Sequence, residues 1–211
     1  MTKVLLINGS ANKNGCTNRA LTEVAKTLAE EGIESEIFQI GANPIRDCIG
    51  CMQCAKTLKN NTCVFGDDIV NSLIEKAKDC DGFVFGTPVY YAHPSGRILS
   101  LLDRVFYAGS RVFKHKPAFA VASARRAGTT ASLDVLNKYF TIAQMPIASS
   151  SYWNMVHGNA PEHVEQDLEG LQTMRNGARN LAWLIKCIEL GKQHGVDAPK
   201  NESGTRTNFI R

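Results

Sequence analysis

No run of about eighteen apolar residues occurs in this chain, so no membrane-spanning helix is expected. The N-terminus reads as a core strand and lacks an apolar segment with a cleavage site, so no secretory signal is expected either. An even set of cysteines is also missing. There are seven, and an odd number without a secretion signal points to a reducing cytoplasm rather than a disulfide framework. Charge is close to balanced, with 24 Lys and Arg against 20 Asp and Glu. The basic residues are scattered, without a stripe interleaved with aromatics, so nucleic acid is not an expected partner. What remains is an ordinary globular composition, 44% hydrophobic and 21% charged, in 211 residues that suit one α/β domain with a full core.

Two familiar phosphate motifs are absent as well. No lysine follows Gly15, which excludes a P-loop, and Gly9 and Gly15 do not fit the spacing of a dinucleotide fingerprint. What stands there instead is an apolar run, Val4–Asn8, leading into a loop of small, hydroxyl and amide residues, Gly9–Asn18, with an amphipathic pattern from Arg19. A buried strand that feeds a polar loop opening a helix is a phosphate cradle. The helix's first N–H groups are unpaired and its dipole favours an anion. Ser10, Thr17 and Asn18 add side-chain donors, and Gly9 and Gly15 let the backbone come close. A terminal monophosphate suits this loop; the alternative is an ordinary Ser/Asn-rich turn.

Further along, apolar strands alternate with amphipathic helices, the pattern of a parallel sheet covered on both faces. Strands are expected at about 3–8, 34–39, 82–86, 118–123 and 147–155, and helices at about 17–31, 67–78, 97–107, 131–144 and 162–190, the last broken near Gly177. Asp67 and Asp68 read as the acidic start of the second helix. The expected fold is a doubly wound, five-stranded parallel sheet with helices on both faces. Residues 1–190 would form the domain, 41–66 a cysteine-bearing insert, and 191–211 a tail available as an interface arm. Ligands of such sheets bind outside the carboxyl ends of the strands. The loops there are 10–18, 87–96, 124–130 and 156–161. A phosphate-gripping loop beside one rich in aromatics and prolines suits a flat ring system with a phosphate tail.

Gly9-Ser10 with Gly15-Cys16-Thr17, the segment Gly86-Thr87-Pro88-Val89-Tyr90, the pair Asp103-Arg104 and a cysteine cluster before Asp67-Asp68 occur in this order. With these residues the chain resembles the flavodoxin-like NAD(P)H-dependent FMN reductases, and among them the iron–sulfur flavoprotein group. The resemblance implies the flavodoxin-like strand order 2-1-3-4-5, and FMN with its phosphate on Ser10, Asn12, Asn14, Cys16, Thr17 and Asn18. Pro88, Val89, Tyr90 and Tyr91 would lie along the isoalloxazine ring, and Ala124, Arg125 and Gly128 would close its other side. Cys16 stands where such loops usually carry Asn; a helix-start thiolate is the reactive alternative there. The two tyrosines have packing against the following helix as their alternative, and Asp103 and Arg104 a structural ion pair or an interface contact.

Cys48, Cys51, Cys54 and Cys63 read C-x2-C-x2-C-x8-C. Three readings are open for them: a [4Fe–4S] cluster, a tetrahedral zinc site, or reduced thiols in a packed loop. Cys80 and Cys187 read as buried small hydrophobes. His93 and His157 fall at the binding edge as proton donors or as structurally bonded loop histidines. No catalytic side chain is assigned, because a flavin carries its own chemistry. The resemblance implies electron passage from NAD(P)H through FMN to a quinone, an azo or nitro compound, or a flavin. The alternatives are an iron–sulfur flavoprotein exchanging electrons with ferredoxin, a non-catalytic flavodoxin-type carrier, and a zinc-stapled regulator without flavin. A homodimer or homotetramer is implied as well.

Overall fold

Among the residues described by the computed structural model, 2–56, 61–207 and 209, a parallel sheet forms the centre. β1 (Lys3–Asn8) is buried from Val4 onward, with apolar side chains alternating between the two faces. It pairs in parallel with β2 (Glu34–Gln39) and β3 (Gly82–Tyr90). β5 (Ala118–Ala124) and β6 (Met155–His157) complete the order β2-β1-β3-β5-β6. A short β4 (His93–Pro94) pairs antiparallel with the end of β3. The expected five-strand path is therefore the observed one, with one extra hairpin strand.

Near-continuous apolar runs make such strands because helices cover both faces. On one face, Leu5, Ile7, Phe83 and Phe85 pack against α3 (Val70–Lys78), α4 (Gly96–Phe113) and α5 (Thr129–Ile142). On the other, Val4, Leu6, Val84 and Phe119 meet α1 (Cys16–Glu30), α6 (Pro161–Gln166) and α7 (Leu168–Gln193). The remaining helix, α2 (Gln53–Lys56), is one turn inside the cysteine-bearing segment.

Several boundaries differ from the sequence reading. β3 runs four residues past Gly86, because Thr87 and Pro88 still pair with β5 and Val89 and Tyr90 pair with β4. The two-residue turn between β3 and β4 is Tyr91-Ala92, with φ of 49° and 63°. Both central residues being left-handed is hairpin geometry usually announced by Asn-Gly, and that signal is missing here. The expected strand at 147–155 is a single bridge at Ile147 and then β6. Between them Ser149, Ser150 and Ser151 bond to α7 instead of to a strand. The last helix breaks at Asp167, not at Gly177. The Asp167 carboxylate caps α7 by accepting from Gly170 N–H at 2.9 Å. Gly177 stays helical and faces Phe119, where an added Cβ would sit 3.4 Å from the ring. α3 begins at Val70, with Asp68 accepting the Val70 N–H. Cys80 is buried as expected, but Cys187 is exposed. Of the tail's closing residues, Asn208, Ile210 and Arg211 lie outside the described residues.

Glu23 joins α1 to α7. It accepts from Arg175 at 2.5 Å and from Arg19 at 3.1 Å. Burial pushes its carboxyl up, but the two guanidiniums outweigh burial and hold it below its ordinary 4.5. A depressed carboxylate contributes stability above its unfolded pKa and loses it as pH falls through the folded value. Glu23→Gln is expected to cost about 1 kcal/mol at neutral pH. Melting curves should show that deficit narrowing below pH 4.5 as the wild-type carboxyl is protonated.

Candidate cofactor site and cysteine pocket

The loop after β1 is organised from buried amides. Asn8 Oδ1 accepts from Ser10 N–H at 3.2 Å, while its Nδ2 donates to Gln39 Oε1 at 2.6 Å. Gln39 Nε2 donates in turn to the Ser10 carbonyl at 2.7 Å. Ser10 Oγ accepts from Asn12 N–H, and Asn12 Oδ1 accepts from Asn14 N–H, both at 3.1 Å. These acceptor bonds wind the loop and leave the Ser10 hydroxyl its own proton to donate. Gly15 stands at the N-cap of α1 with no side-chain cap, and the first turn holds no acidic residue. The positive end of the helix dipole is thus not neutralised from within, as an anion site requires. Gly9 is where the chain passes between β3 and α4. A Cβ there would lie 2.4 Å from the Gly86 carbonyl oxygen and 2.5 Å from Ile98 Cδ1.

Two expected phosphate contacts are engaged elsewhere. Thr17 is buried, and its Oγ1 shares a 2.8 Å hydrogen bond with Ser123 Oγ of β5. Cys16 Sγ donates to the Gly158 carbonyl at 3.5 Å, and burial pushes its thiol up despite a counteracting backbone N–H. Both the burial and the Gly158 contact act against a helix-start thiolate at Cys16. Asn12 and Asn14 are exposed on the loop, and Asn18 is half-buried on α1.

The second edge loop meets the first and the third. Ser95 Oγ donates to the Gly9 carbonyl at 3.2 Å and also caps α4 by accepting from Ile98 N–H. The β3–β4 turn abuts Gly128, where φ is 91° and an added Cβ would lie 2.5 Å from Ala92 Cα. Pro88 and Val89 are half-buried, Tyr90 is exposed, and Tyr91 is 99% exposed and so packs against no helix. Ala124 ends β5 buried, and Arg125 projects into solvent. The four loops thus gather along one edge, with the fourth joined through Gly158 N–H to the Ala124 carbonyl at 3.0 Å. His157 lies there too, its N–H donating to Asp167 Oδ2 at 2.7 Å. His93 Nδ1 is 2.6 Å from the Pro94 carbonyl.

Cys48, Cys51, Cys54 and Cys63 line one small cavity beside α4. Burial raises the Cys54 thiol, the Ala55 N–H pulls it back, and Cys63, Cys51 and Cys48 raise it further, in that order. Among the described residues, no three His, Cys, Asp or Glu close around a single ion. Positive φ at Gly50, Met52 and Asn61 gives this loop its tight bends. Cys63 is pinned at both backbone groups: its N–H donates to Asn71 Oδ1 at 2.8 Å and its carbonyl accepts from Asn71 Nδ2 at 2.9 Å.

Beneath the loop lies Arg104, 1% exposed. Nη1 pairs with Asp68 and donates to the Arg46 carbonyl, Nη2 donates to the Phe65 carbonyl, and Nε donates to Cys63 Sγ at 3.3 Å. Burial works against its charge, but Asp68 and Cys63 together outweigh burial, so its pKa is raised. Its neighbour Asp103 turns away and accepts from the Tyr139 hydroxyl; burial first, and Asp103 second, raise that phenol's pKa. The ion pair therefore joins Arg104 to Asp68. Sequence reasoning missed the scaffold of Asn8, Gln39, Asn71 and Asp167. An Arg set amid Leu101, Leu102, Val105 and Phe106 is the signal that could have marked Arg104 as a buried hub.

This sheet order, with loops gathered at the strands' carboxyl edge, defines a flavodoxin-like α/β protein. A flavodoxin, WrbA-like protein from Agrobacterium tumefaciens shares the fold at a TM-score of 0.58 and 17% identity, covering 88% of this chain and 97% of that one. Residues 2–160 match the profile of the NADPH-dependent FMN reductases, and the chain belongs to that family of flavin oxidoreductases. An iron-sulfur flavoprotein of Methanocaldococcus jannaschii is 30% identical over 198 residues, 89% of this chain and 99% of that protein. An FMN-dependent NADPH-azoreductase of Staphylococcus saprophyticus is 34% identical over 118 residues, 54% of this chain and 56% of that protein. Among the described residues no helix is long and apolar enough to cross a membrane.

Proposed function

We propose that the chain binds FMN at this edge and passes electrons from NAD(P)H to a small acceptor such as a quinone, an azo or nitro compound, or a flavin. The observation that carries the reading is the uncapped, acid-free start of α1 beneath the wound Ser10–Asn14 loop. The N–H groups of Cys16, Thr17 and Asn18, with the Ser10 hydroxyl and the amides of Asn12 and Asn14, would hold the phosphate. Pro88, Val89, Tyr90 and Tyr91 would flank the ring, and Ala124, Arg125 and Gly128 would bound it opposite. When bound, FMN supplies the hydride chemistry, and the protein's part is binding and orientation. Thr17 serves by fixing α1 to β5, and Gly128 by letting its loop close on the hairpin.

Fluorescence titration of apoprotein tests this reading. FMN should bind far more tightly than riboflavin, which lacks the phosphate. Ser10→Ala should weaken FMN about tenfold, roughly 1.5 kcal/mol for a hydrogen bond to a charged group, and leave riboflavin unchanged. Equal affinity for the two flavins would remove the cradle from the account.

A second reading concerns the cysteines. One cavity lined by all four thiols supports a shared centre, in which a [4Fe–4S] cubane would take each thiolate on a different iron. The name of the archaeal relative points the same way. Cys48, Cys51, Cys54 and Cys63 would hold it, and a ferredoxin is then the electron partner to test. Protein purified without oxygen should carry about four irons per chain, and Cys54→Ala should abolish them. Iron-free protein, with flavin in place, would leave the cysteines as reduced thiols.

A further inference from the structure

We propose that Arg104 is a positioning residue that sets the reduction potential of the cysteine centre. The inference rests on the reading of Cys48, Cys51, Cys54 and Cys63 as cluster ligands. Its basis is the way one buried guanidinium is divided. Two donors hold the backbone on either side of the cysteine-bearing loop, at the Arg46 and Phe65 carbonyls, at 3.1 and 2.9 Å. Those residues lie two positions before Cys48 and two after Cys63, so Arg104 clasps both ends of the loop. These contacts and the Asp68 pair would suffice for a structural arginine. A further donor, Nε–H, is spent on a sulfur, Cys63 Sγ, at 3.3 Å.

A hydrogen bond to a ligand sulfur and a positive charge in a buried site both favour the more negative state of a centre. Reduction adds one electron, supplied in the test by dithionite through mediator dyes. Arg104 therefore raises the potential, and the Asp68 carboxylate, paired with it inside the fold, works against it. Lysine cannot replace this arrangement, because one ammonium cannot reach two carbonyls, a carboxylate and a sulfur in fixed directions. α4 carries Arg104 and is capped by Ser95, which bonds to the Gly9 carbonyl. The clasp is thus built on the same helix that supports the first cradle loop.

The test is a mediated redox titration of the oxygen-free holoprotein in wild-type, Arg104→Lys and Asp68→Asn forms, with iron and flavin counted in each. Arg104→Lys should lower the centre's midpoint by about tenfold in the reduced-to-oxidised ratio, near 59 mV for one electron. Asp68→Asn should move it the other way, and chelator-driven iron release should quicken in Arg104→Lys. Opposite signs are what a merely structural pair would not produce. Should Arg104→Lys lose its iron on purification, the upward shift in Asp68→Asn carries the test, and its absence overturns the proposal. Unshifted variants, or shifts of one sign in both, with about four irons in the wild type, overturn the proposal alone. A wild type without iron overturns the cluster reading and this inference with it.

Discussion

Gly9→Ala is expected to cost about 2–3 kcal/mol of stability and to weaken FMN at least tenfold, because the nearer of the two atoms it would overpack is backbone. The new methyl would meet the Gly86 carbonyl oxygen at 2.4 Å and Ile98 Cδ1 at 2.5 Å. Ile98 can rotate away, but the carbonyl belongs to the centre of the sheet and accepts the Gly9 N–H at 2.8 Å. Relief therefore requires the loop to lift from β3, which also breaks the Ser95 bond to the Gly9 carbonyl and unseats Ser10. Gly96→Ala, at the first position of α4, is the matched control. Nothing lies within 4 Å of its Cβ, and a helix start favours Ala over Gly. That variant should equal or exceed wild type by about 0.5 kcal/mol. Urea melts and FMN titrations of the two variants make the comparison.

Arg104→Met should be the more damaging to the fold, by about 3–5 kcal/mol, since it strands the Asp68 carboxylate inside the protein. The loss is mostly the penalty of an unpaired charge. The double variant Arg104→Met/Asp68→Leu should therefore recover a large part of it. Recovery would stay incomplete, because the Phe65 and Arg46 carbonyls also lose their donor. A chemical-denaturation cycle over the four proteins measures the coupling. Equal losses in single and double variants would assign the stability to the carbonyl contacts rather than to the ion pair.

Much of this was legible because it is local. The run Val4–Asn8 and the small-residue loop behind it specify a strand, a polar loop and a helix start within about fifteen residues. The doubly wound parallel sheet followed from right-handed crossovers applied to alternating elements, and its strand order from the resemblance to flavodoxin-like proteins. What escaped was set by distant partners. Thr17 looks like a phosphate donor in sequence, but it faces β5 and finds Ser123, 106 residues away. The β3 extension depends on a hairpin turn built from Tyr91-Ala92, which no turn propensity announces. The α7 start depends on Asp167, whose carboxylate serves both the Gly170 N–H and the His157 N–H. Gly177 looks like a breaker in sequence, but its smallness serves the approach of a helix to Phe119.

The most direct test of the central claim is to mix FMN-loaded protein with one equivalent of NADPH, and separately NADH, without oxygen, and follow the visible flavin bands. The account predicts that at least one nucleotide bleaches the bands within the mixing experiment and that a quinone then restores them. Bands that bleach with dithionite but stay oxidised with both nucleotides would contradict it and leave a flavin-binding electron carrier in place of a reductase.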